Sequence, residues 1–289
     1  MKKIIYFIVR YSLLTNAGTG NGLAKAFSFE RYRKKLFNPN RLLTHERLFC
    51  RLVMPTFQGY LRRMGSAEPR MLIFTSSELP EPFKKRLFQI TEKTQNLSLQ
   101  ELPVDYYPLG GHVSKAIRGE LDQEKNPTIF STVHWDDDDA LSIDYADRLS
   151  AYMTEQNIGN AVSFGKGFGL PFSTRKAAFS SPALMRYPFV SAGLSHINSY
   201  NKTDGFRKTE PANVMEIHPH TKADTFCPTI VDSREPSYIK TYHNDSVQGI
   251  KKGRRRLLNL ARRKTQMDAA TLSILEEHFD VDIRTPLVR

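Results

Sequence analysis

The stretch TIFSTVHWDDDDAL, residues 128–141, decides the fold prediction for this chain. Its first eight residues are rich in β-branched and aromatic side chains, which is typical of a buried strand. Four consecutive aspartates, Asp136 to Asp139, follow directly. Because adjacent carboxylates repel one another, such a cluster at a strand end indicates a divalent cation or cationic ligand that compensates their charge. Open α/β sheets bind their ligands at this edge.

The same aspartates also suit an exposed acidic turn that caps the next helix. Acidic residues are favoured at helix N-termini, and residues 145–157 have a helical pattern. One carboxylate is sufficient for a cap, so this alternative leaves the other three unexplained. We therefore prefer a cation-binding cluster and keep the simple turn as the alternative.

Short apolar runs alternate with helical patterns through the first half of the chain. Residues 14–44 are the exception, since they are first rich in Gly and Asn and then basic, which predicts a long loop with at most a short helix. The alternation predicts an α/β fold with a mostly parallel sheet flanked by helices. The predicted strands are 4–12, 71–75, 100–104, 127–135 and 161–164, and the predicted helices are 45–63, 80–93 and 145–157.

The net charge of +12 is concentrated near the C-terminus. Residues 251–264 hold eight basic residues and no acidic one, and the rest of the chain carries only +4. This argues against a chain-wide nucleic-acid surface and favours one local anionic contact. Leucines among the cations suit a short basic amphipathic helix on anionic lipid, with a solvated helix face or a nucleic-acid patch as alternatives. Another helix is predicted from residue 268.

Cysteine usage and hydropathy indicate the compartment. Cys50 and Cys227 lie far apart and form neither a disulfide framework nor a metal-ligand spacing, so a reducing compartment is expected. The first apolar run ends at Arg10, which is too early for a secretory signal, and no run reaches the ~20 residues of a membrane span. We expect a cytoplasmic protein that also contacts the inner membrane face peripherally through residues 251–264.

Residues 134–141, HWDDDDAL, carry a resemblance to a known enzyme family. The sequence resembles GT-A nucleotide-sugar glycosyltransferases and, within them, a bacterial family of rhamnosyltransferases, whose strand ends Arg-Leu-Asp-Asp/Asn-Asp-Asp-Ala-Leu. Here His134 and Trp135 replace the family's Arg and Leu. The likeness covers residues 4–250, and the Asp-rich turn is its specific part. Looser matches are residues 10–12, 47–58, 220–222 and 238–246.

The resemblance implies a GT-A-like, Rossmann-like domain over residues 1–250, followed by a basic helical tail over 251–289. It also implies metal-dependent transfer of a sugar, rhamnose by the family's label, from a nucleotide-diphosphate donor. The acceptor would be a bacterial surface glycan or a lipid-linked acceptor, and the cofactor Mn²⁺ or Mg²⁺. No nucleic-acid partner is expected.

The Asp-x-Asp pattern of such enzymes assigns roles to the aspartates. Asp136 would face the donor ribose or the metal, and Asp138 would ligate the metal. Asp139 would support the site near the transferred sugar, while Asp137 is the candidate for a structural role. Since such enzymes often bring a late histidine back to the metal, His243 is a further candidate metal ligand.

The remaining site candidates are single residues with ordinary alternatives. Transfer with inversion needs a general base, normally a carboxylate, for which Glu216 is preferred over Asp232. Arg10 is a candidate contact of the nucleotide or diphosphate, although a salt bridge explains it equally well. His220 is a candidate diphosphate or acceptor contact, because two histidines two residues apart, His218 and His220, are a weak zinc pattern.

Two other functions stay open at this point. Residue spacing alone does not exclude another metal-dependent phosphate enzyme, such as a nucleotidyltransferase or a phosphohydrolase. A nucleic-acid-binding protein that works through residues 251–264 is the weaker alternative. The rest of the chain is nearly neutral, and the sequence has no recognisable nucleic-acid-recognition motif.

Overall fold

A computed structural model describes residues 1–16, 27–63, 65–243 and 269–287, which form a mixed α/β fold. The predicted basic helix at 251–264 and residues 244–246 of the late motif lie outside these ranges. The strands are β1 (Lys2–Tyr11), β2 (Glu68–Ser76), β3 (Leu97–Leu102), β4 (Thr128–Asp136), β5 (Ala140–Leu141), β6 (Ala161–Phe164), β7 (Lys166–Ser173), β8 (Ala178–Phe179), β9 (Ala183–Arg186), β10 (Ser195–Asn201), β11 (Gly205–Phe206), β12 (Thr229–Asp232) and β13 (Tyr238–Tyr242). The helices are α1 (Phe29–Leu36), α2 (Pro39–Leu48), α3 (Met54–Arg63), α4 (Glu81–Thr91), α5 (Leu109–Leu121), α6 (Tyr145–Tyr152) and α7 (Ala269–His278).

The central sheet confirms the predicted mostly parallel architecture and is consistent with a GT-A-like fold. Its strand order is β12-β6-β10-β4-β1-β2-β3, with β11 added to β10. Strand β1 lies parallel between β2 and β4, and β10 runs antiparallel to both β4 and β6. Such a sheet directs the carboxyl ends of β1, β2 and β4 to one edge.

The junction of β4 and β1 places the aspartates at that edge. The register pairs Arg10, near the end of β1, with Asp136, the last residue of β4. Below this pair, Trp135 is fully buried and its ring lies 5.3 Å from that of Phe7. The indole N–H of Trp135 donates to the carbonyl of Asp139 at 3.0 Å, so a core side chain anchors the aspartate turn.

The segment predicted as a loop, residues 14–44, contains helix α1 and the start of α2. Its apolar residues are few but correctly spaced, since Tyr32 and Leu36 are the buried residues of α1. Basic residues between them hide this pattern in the sequence. Helix α2 begins after its N-cap residue, Asn38. The side chain of Asn38 accepts hydrogen bonds from the backbone N–H groups of Asn40 and Arg41. A π-helical turn, Phe49–Val53, joins α2 to α3.

Helix α5 is absent from the sequence prediction, although parallel strands β3 and β4 need a crossover between them. Gly110 and Gly111 follow Pro108 and resemble a turn in sequence. The buried residues Leu109, Val113, Ile117 and Leu121 nevertheless recur every four residues and form one apolar face.

A second sheet closes over the aspartate turn. Its strand order is β5-β13-β7-β8, with β9 added to β7. Strand β13 lies antiparallel to β5, which directly follows the aspartates, and parallel to β7. At Gly167 in β7, a Cβ atom would come within 2.4 Å of the backbone oxygen of Tyr238, so only glycine allows this close approach of β7 and β13.

Helix α7 packs into the main body of the protein, against this second sheet. Leu275 and Phe279 are buried in a cluster with Phe168 and Ile239, and the rings of Phe279 and Phe168 lie 6.0 Å apart. The predicted helix from residue 268 is thus confirmed. The boundary of the tail at residue 251 stays a prediction, but residues 269–287 share their core with the second sheet.

We expect Phe279→Ala to lower the free energy of unfolding by about 3–5 kcal/mol, because it removes a buried ring from a packed cluster. Urea denaturation of the whole chain measures this. Glu277→Ala, at an exposed position in the last turn of α7, is the control and should stay within about 0.5 kcal/mol. An unchanged stability of Phe279→Ala would mean that α7 is a detachable tail.

Within the described residues, every helix is too short or too polar to traverse a lipid bilayer.

Candidate active site

A cavity of ≈ 300 Å³ opens at the carboxyl edge of the central sheet. The end of β1 contributes Arg10 to its floor, and the end of β4 with the turn after it contributes Asp136 to Asp138. Its walls come from α2, from the segment before α5 and from residues 214–220. Ser12, which lines the cavity beside Arg10, has a left-handed backbone with φ 49°, a strained conformation that is common at ligand sites.

Asp136 is held from four directions. Its Oδ1 accepts from Arg10 at 2.7 Å and contacts His134 Nε2 at 3.2 Å. Its Oδ2 accepts from Lys240 at 2.9 Å and from Ser191 at 3.3 Å. Burial opposes its ionisation, but Lys240 and Arg10 outweigh burial and hold the pKa of this carboxyl well below its usual value. Asp136 is therefore an oriented, ionised group at the cavity.

Lys240, from β13, is the internal counter-ion of the aspartates. Its ammonium group lies 2.5 Å from Asp139 Oδ2 and 2.9 Å from Asp136 Oδ2. Burial lowers its pKa, but the carboxylates of Asp136 and Asp139 outweigh burial and raise the pKa of Lys240 well above its usual value. The backbone N–H of Thr241 donates to Asp139 Oδ1 at 2.9 Å, so β13 binds both oxygens of that carboxylate.

Three buried side chains converge as candidate metal ligands: His45 from α2, Asp138, and His243 just after β13. Their ligand atoms all lie within 4.8 Å of one another. His243 Nε2 is 2.9 Å from Asp138 Oδ2, close to the spacing of adjacent ligands on a cation with bonds of about 2.1 Å. Burial opposes ionisation of Asp138, but the bond with His243 outweighs it and lowers the pKa of Asp138 to about 2.

Asp137 orients the histidine of α2. Its Oδ1 lies 2.9 Å from His45 Nδ1, and a proton on Nδ1 leaves the lone pair of Nε2 available to a metal. Nε2 of His45 is buried without a hydrogen-bond partner among the described residues, as is Oδ2 of Asp137. The residues thus fit a bound divalent ion, because such an ion would satisfy a buried nitrogen that is otherwise unpaired.

The structure brings together most of the site residues predicted from the sequence. Arg10, Asp136, Asp138 and His220 line the cavity, and His220 Nδ1 is held 2.7 Å from the carbonyl of Phe189. His243 is fully buried behind them against Asp138. Asp137, predicted as structural, also lines the cavity. Asp139 is fully buried beneath the cavity and is absent from its lining.

Glu216 lies beside the cavity and does not line it, although its neighbours Met215 and Ile217 do. Its carboxylate accepts from the backbone N–H of Ala212 at 2.7 Å and from Asn213 Nδ2 at 3.0 Å. Burial raises the pKa of Glu216 despite these hydrogen bonds. Its assignment as the general base stays a prediction.

Sequence reasoning missed His45 and Lys240 as site residues. His45 sits among polar residues at the start of a predicted helix, and no local pattern marks it. Lys240 had a detectable signal, since it is a lone lysine in the short β-prone run YIKTY, residues 238–242. A lysine in a buried strand needs a carboxylate partner, and the Asp-rich turn is the richest source of carboxylates in the chain.

The fold and the site together define an α/β enzyme of GT-A-like class with its ligand cavity at the carboxyl edge of the sheet. The sequence model of the family described as "Putative rhamnosyl transferase" matches residues 4–255. The chain therefore belongs to this family and is a glycosyltransferase, which confirms the resemblance. A search of curated proteins finds no match to the chain. Membership of the family implies a nucleotide-sugar donor and a glycan acceptor.

Proposed function

We propose that the protein transfers a sugar from a nucleotide-diphosphate donor in a metal-dependent reaction, with the ion held by His45, Asp138 and His243. The observation that supports this most is the convergence of these three buried ligand atoms within 4.8 Å, beside the cavity. Two imidazoles in the set favour Mn²⁺ over Mg²⁺, which prefers oxygen ligands. A bound divalent ion would supply Lewis acidity for the departing diphosphate.

Cationic side chains of the cavity complement a diphosphate. Arg10 and Lys240 line it together with His220. Arg10 and Lys240 already neutralise Asp136, so they orient that carboxylate toward the donor ribose and also contribute positive potential. Rhamnose is our candidate sugar, from the description of the family.

Glu216 is our candidate for the base that takes the proton of the acceptor hydroxyl. Burial raises the pKa of its carboxyl above the usual value, which makes the carboxylate a stronger base. Asp232 suits this role less, because its hydrogen bonds to Arg234 hold the pKa of its carboxyl far below its usual value. Asp139, paired with Lys240 beneath the cavity, acts as a positioning residue for the turn. The acceptor is a bacterial surface glycan or its lipid-linked precursor, and the enzyme works in the cytoplasm.

Thermal unfolding with a panel of nucleotide-diphosphate sugars tests this function. At a ligand concentration 100 times Kd, the stabilisation is about 2.7 kcal/mol, which raises Tm by about 5 °C. We expect this rise for a rhamnose donor with Mn²⁺ and none with EDTA. A rise independent of metal, or none with any donor, would contradict the proposal. Release of free phosphate without sugar transfer would indicate a phosphohydrolase.

A further inference from the structure

A second cavity of ≈ 620 Å³, here called the basic groove, lies between α1, α2 and the turn after β7. Six cationic side chains line it and no acidic side chain does. The groove lies outside the Asp-rich motif that defines the glycosyltransferase site, and of its residues only Arg47, in the loose match of residues 47–58, belongs to a sequence motif. The six cations are Arg31, Lys34, Lys35, Arg41, Arg47 and Arg175.

Helical spacing creates this concentration of positive charge. Arg41, Thr44 and Arg47 recur every three residues, which places them along one face of α2, toward the groove. Within the described residues, none of the six cations lies within 4.0 Å of a carboxylate oxygen. Glu46, the acidic residue nearest in sequence to Arg47, forms an ion pair with Arg86 instead, at 2.8 Å.

Arg41 is the most unusual of the six, because it is only 8% exposed and has no carboxylate partner in the described structure. It donates to the carbonyl of Leu36 at 3.0 Å and to Ser12 Oγ at 3.2 Å, and its Nε is buried without a partner. A buried charge without a counter-ion is unfavourable, so this arginine indicates an anion that is bound during function. Arg41 also lines the catalytic cavity and therefore joins the two spaces.

We propose that the basic groove binds a phosphate group of the acceptor, and that Arg41 links this phosphate to the catalytic cavity. The proposal rests on the proposed transfer reaction, because it assigns the groove to the second substrate. Four of the six cations are arginines, whose planar forks match phosphate oxygens in pairs. The donor diphosphate has its own cations, Arg10 and Lys240, in the catalytic cavity.

Calorimetric titration of the full chain with inorganic diphosphate, in EDTA and at 0.15 M salt, tests the groove. The variant Arg31→Ala/Lys34→Ala/Arg175→Ala removes three cations that line the groove and not the catalytic cavity. We expect it to weaken diphosphate binding about tenfold or more. The control, Lys85→Ala/Lys93→Ala/Lys115→Ala, removes three exposed cations that line neither space and should change affinity less than twofold.

Two further titrations distinguish the source of the phosphate. Farnesyl diphosphate represents a lipid-linked acceptor, and glucose 1-phosphate represents a soluble phosphorylated saccharide. If one of these two ligands binds more tightly than inorganic diphosphate, and the groove variant loses that affinity, the result supports the proposal. It also shows whether the bound phosphate belongs to a lipid-linked or a soluble acceptor. Equal affinity of the groove variant and the wild type for diphosphate overturns it. Tighter binding of a short single-stranded RNA than of diphosphate, through the same three cations, also overturns it.

The same variant separates this proposal from the proposed function. Binding of a nucleoside diphosphate with Mn²⁺ should be unchanged in the groove variant, since its ligands lie in the catalytic cavity. If manganese-dependent nucleotide binding is missing from the wild type as well, while the groove still binds diphosphate, the metal-dependent function fails and the anion site stands.

Discussion

Asp138→Asn is expected to weaken Mn²⁺ binding by about 100-fold or more and to abolish metal-dependent nucleotide binding, while the protein stays folded. Asp138 is the one carboxylate in the candidate ligand set, and its lowered pKa keeps it ionised at neutral pH. Asparagine has the same shape and retains an oxygen that accepts from His243 Nε2. The substitution thus removes negative charge and little else. Titration of free Mn²⁺ by electron paramagnetic resonance measures the affinity.

The control is Asp224→Asn, at an exposed position outside the cavity lining, which should leave Mn²⁺ affinity unchanged. Pulsed electron paramagnetic resonance gives a readout that is independent of activity, because it detects nitrogen bound to manganese. We expect His45→Gln to remove one imidazole coupling. Manganese bound as tightly in Asp138→Asn as in the wild type would place the ion elsewhere and contradict the ligand set.

Lys240→Met is expected to lower the free energy of unfolding by about 3–5 kcal/mol, the usual effect of removing one partner from a buried ion pair. Methionine fills most of the space but leaves Asp136 and Asp139 without their shared ammonium group. Asp139 is fully buried, and its Oδ2 loses the ammonium group that lies against it. Urea denaturation measures the change.

A second substitution shows whether charge is the cause. Lys240→Met/Asp139→Asn removes both the ammonium group and the carboxylate that most needs it, so it should recover part of the lost stability. Lys93→Met, at an exposed lysine, is the matched control and should stay within about 0.5 kcal/mol of the wild type. If Lys240→Met is as stable as the wild type, the aspartates do not depend on this counter-ion.

Local pattern was sufficient for the parallel strands β1 to β4 and for helices α3, α4 and α6, but not for the second sheet. The run of residues 128–135 is rich in β-branched and aromatic side chains and therefore predicts a buried strand. Its aspartates must then lie at the carboxyl edge, where neighbouring parallel strands also end. By contrast, α1 and α5 were missed because charged residues in α1, and glycines in α5, obscure a sparse but regular apolar spacing.

The composition of the site was decided by tertiary structure. His45 meets Asp137 across 92 residues, Lys240 meets Asp139 across 101, and His243 meets Asp138 across 105. Such pairs depend on how α2 and β13 pack over the sheet edge, and the local sequence around His45 carries no signal of that packing. The sequence alone thus determined that carboxylates gather at this edge, since that follows from strand direction. Only the tertiary structure decided that Lys240 and His45 contact them, because distant segments pack over this edge. A buried charge is stabilised by the groups that the fold places within a few ångströms of it.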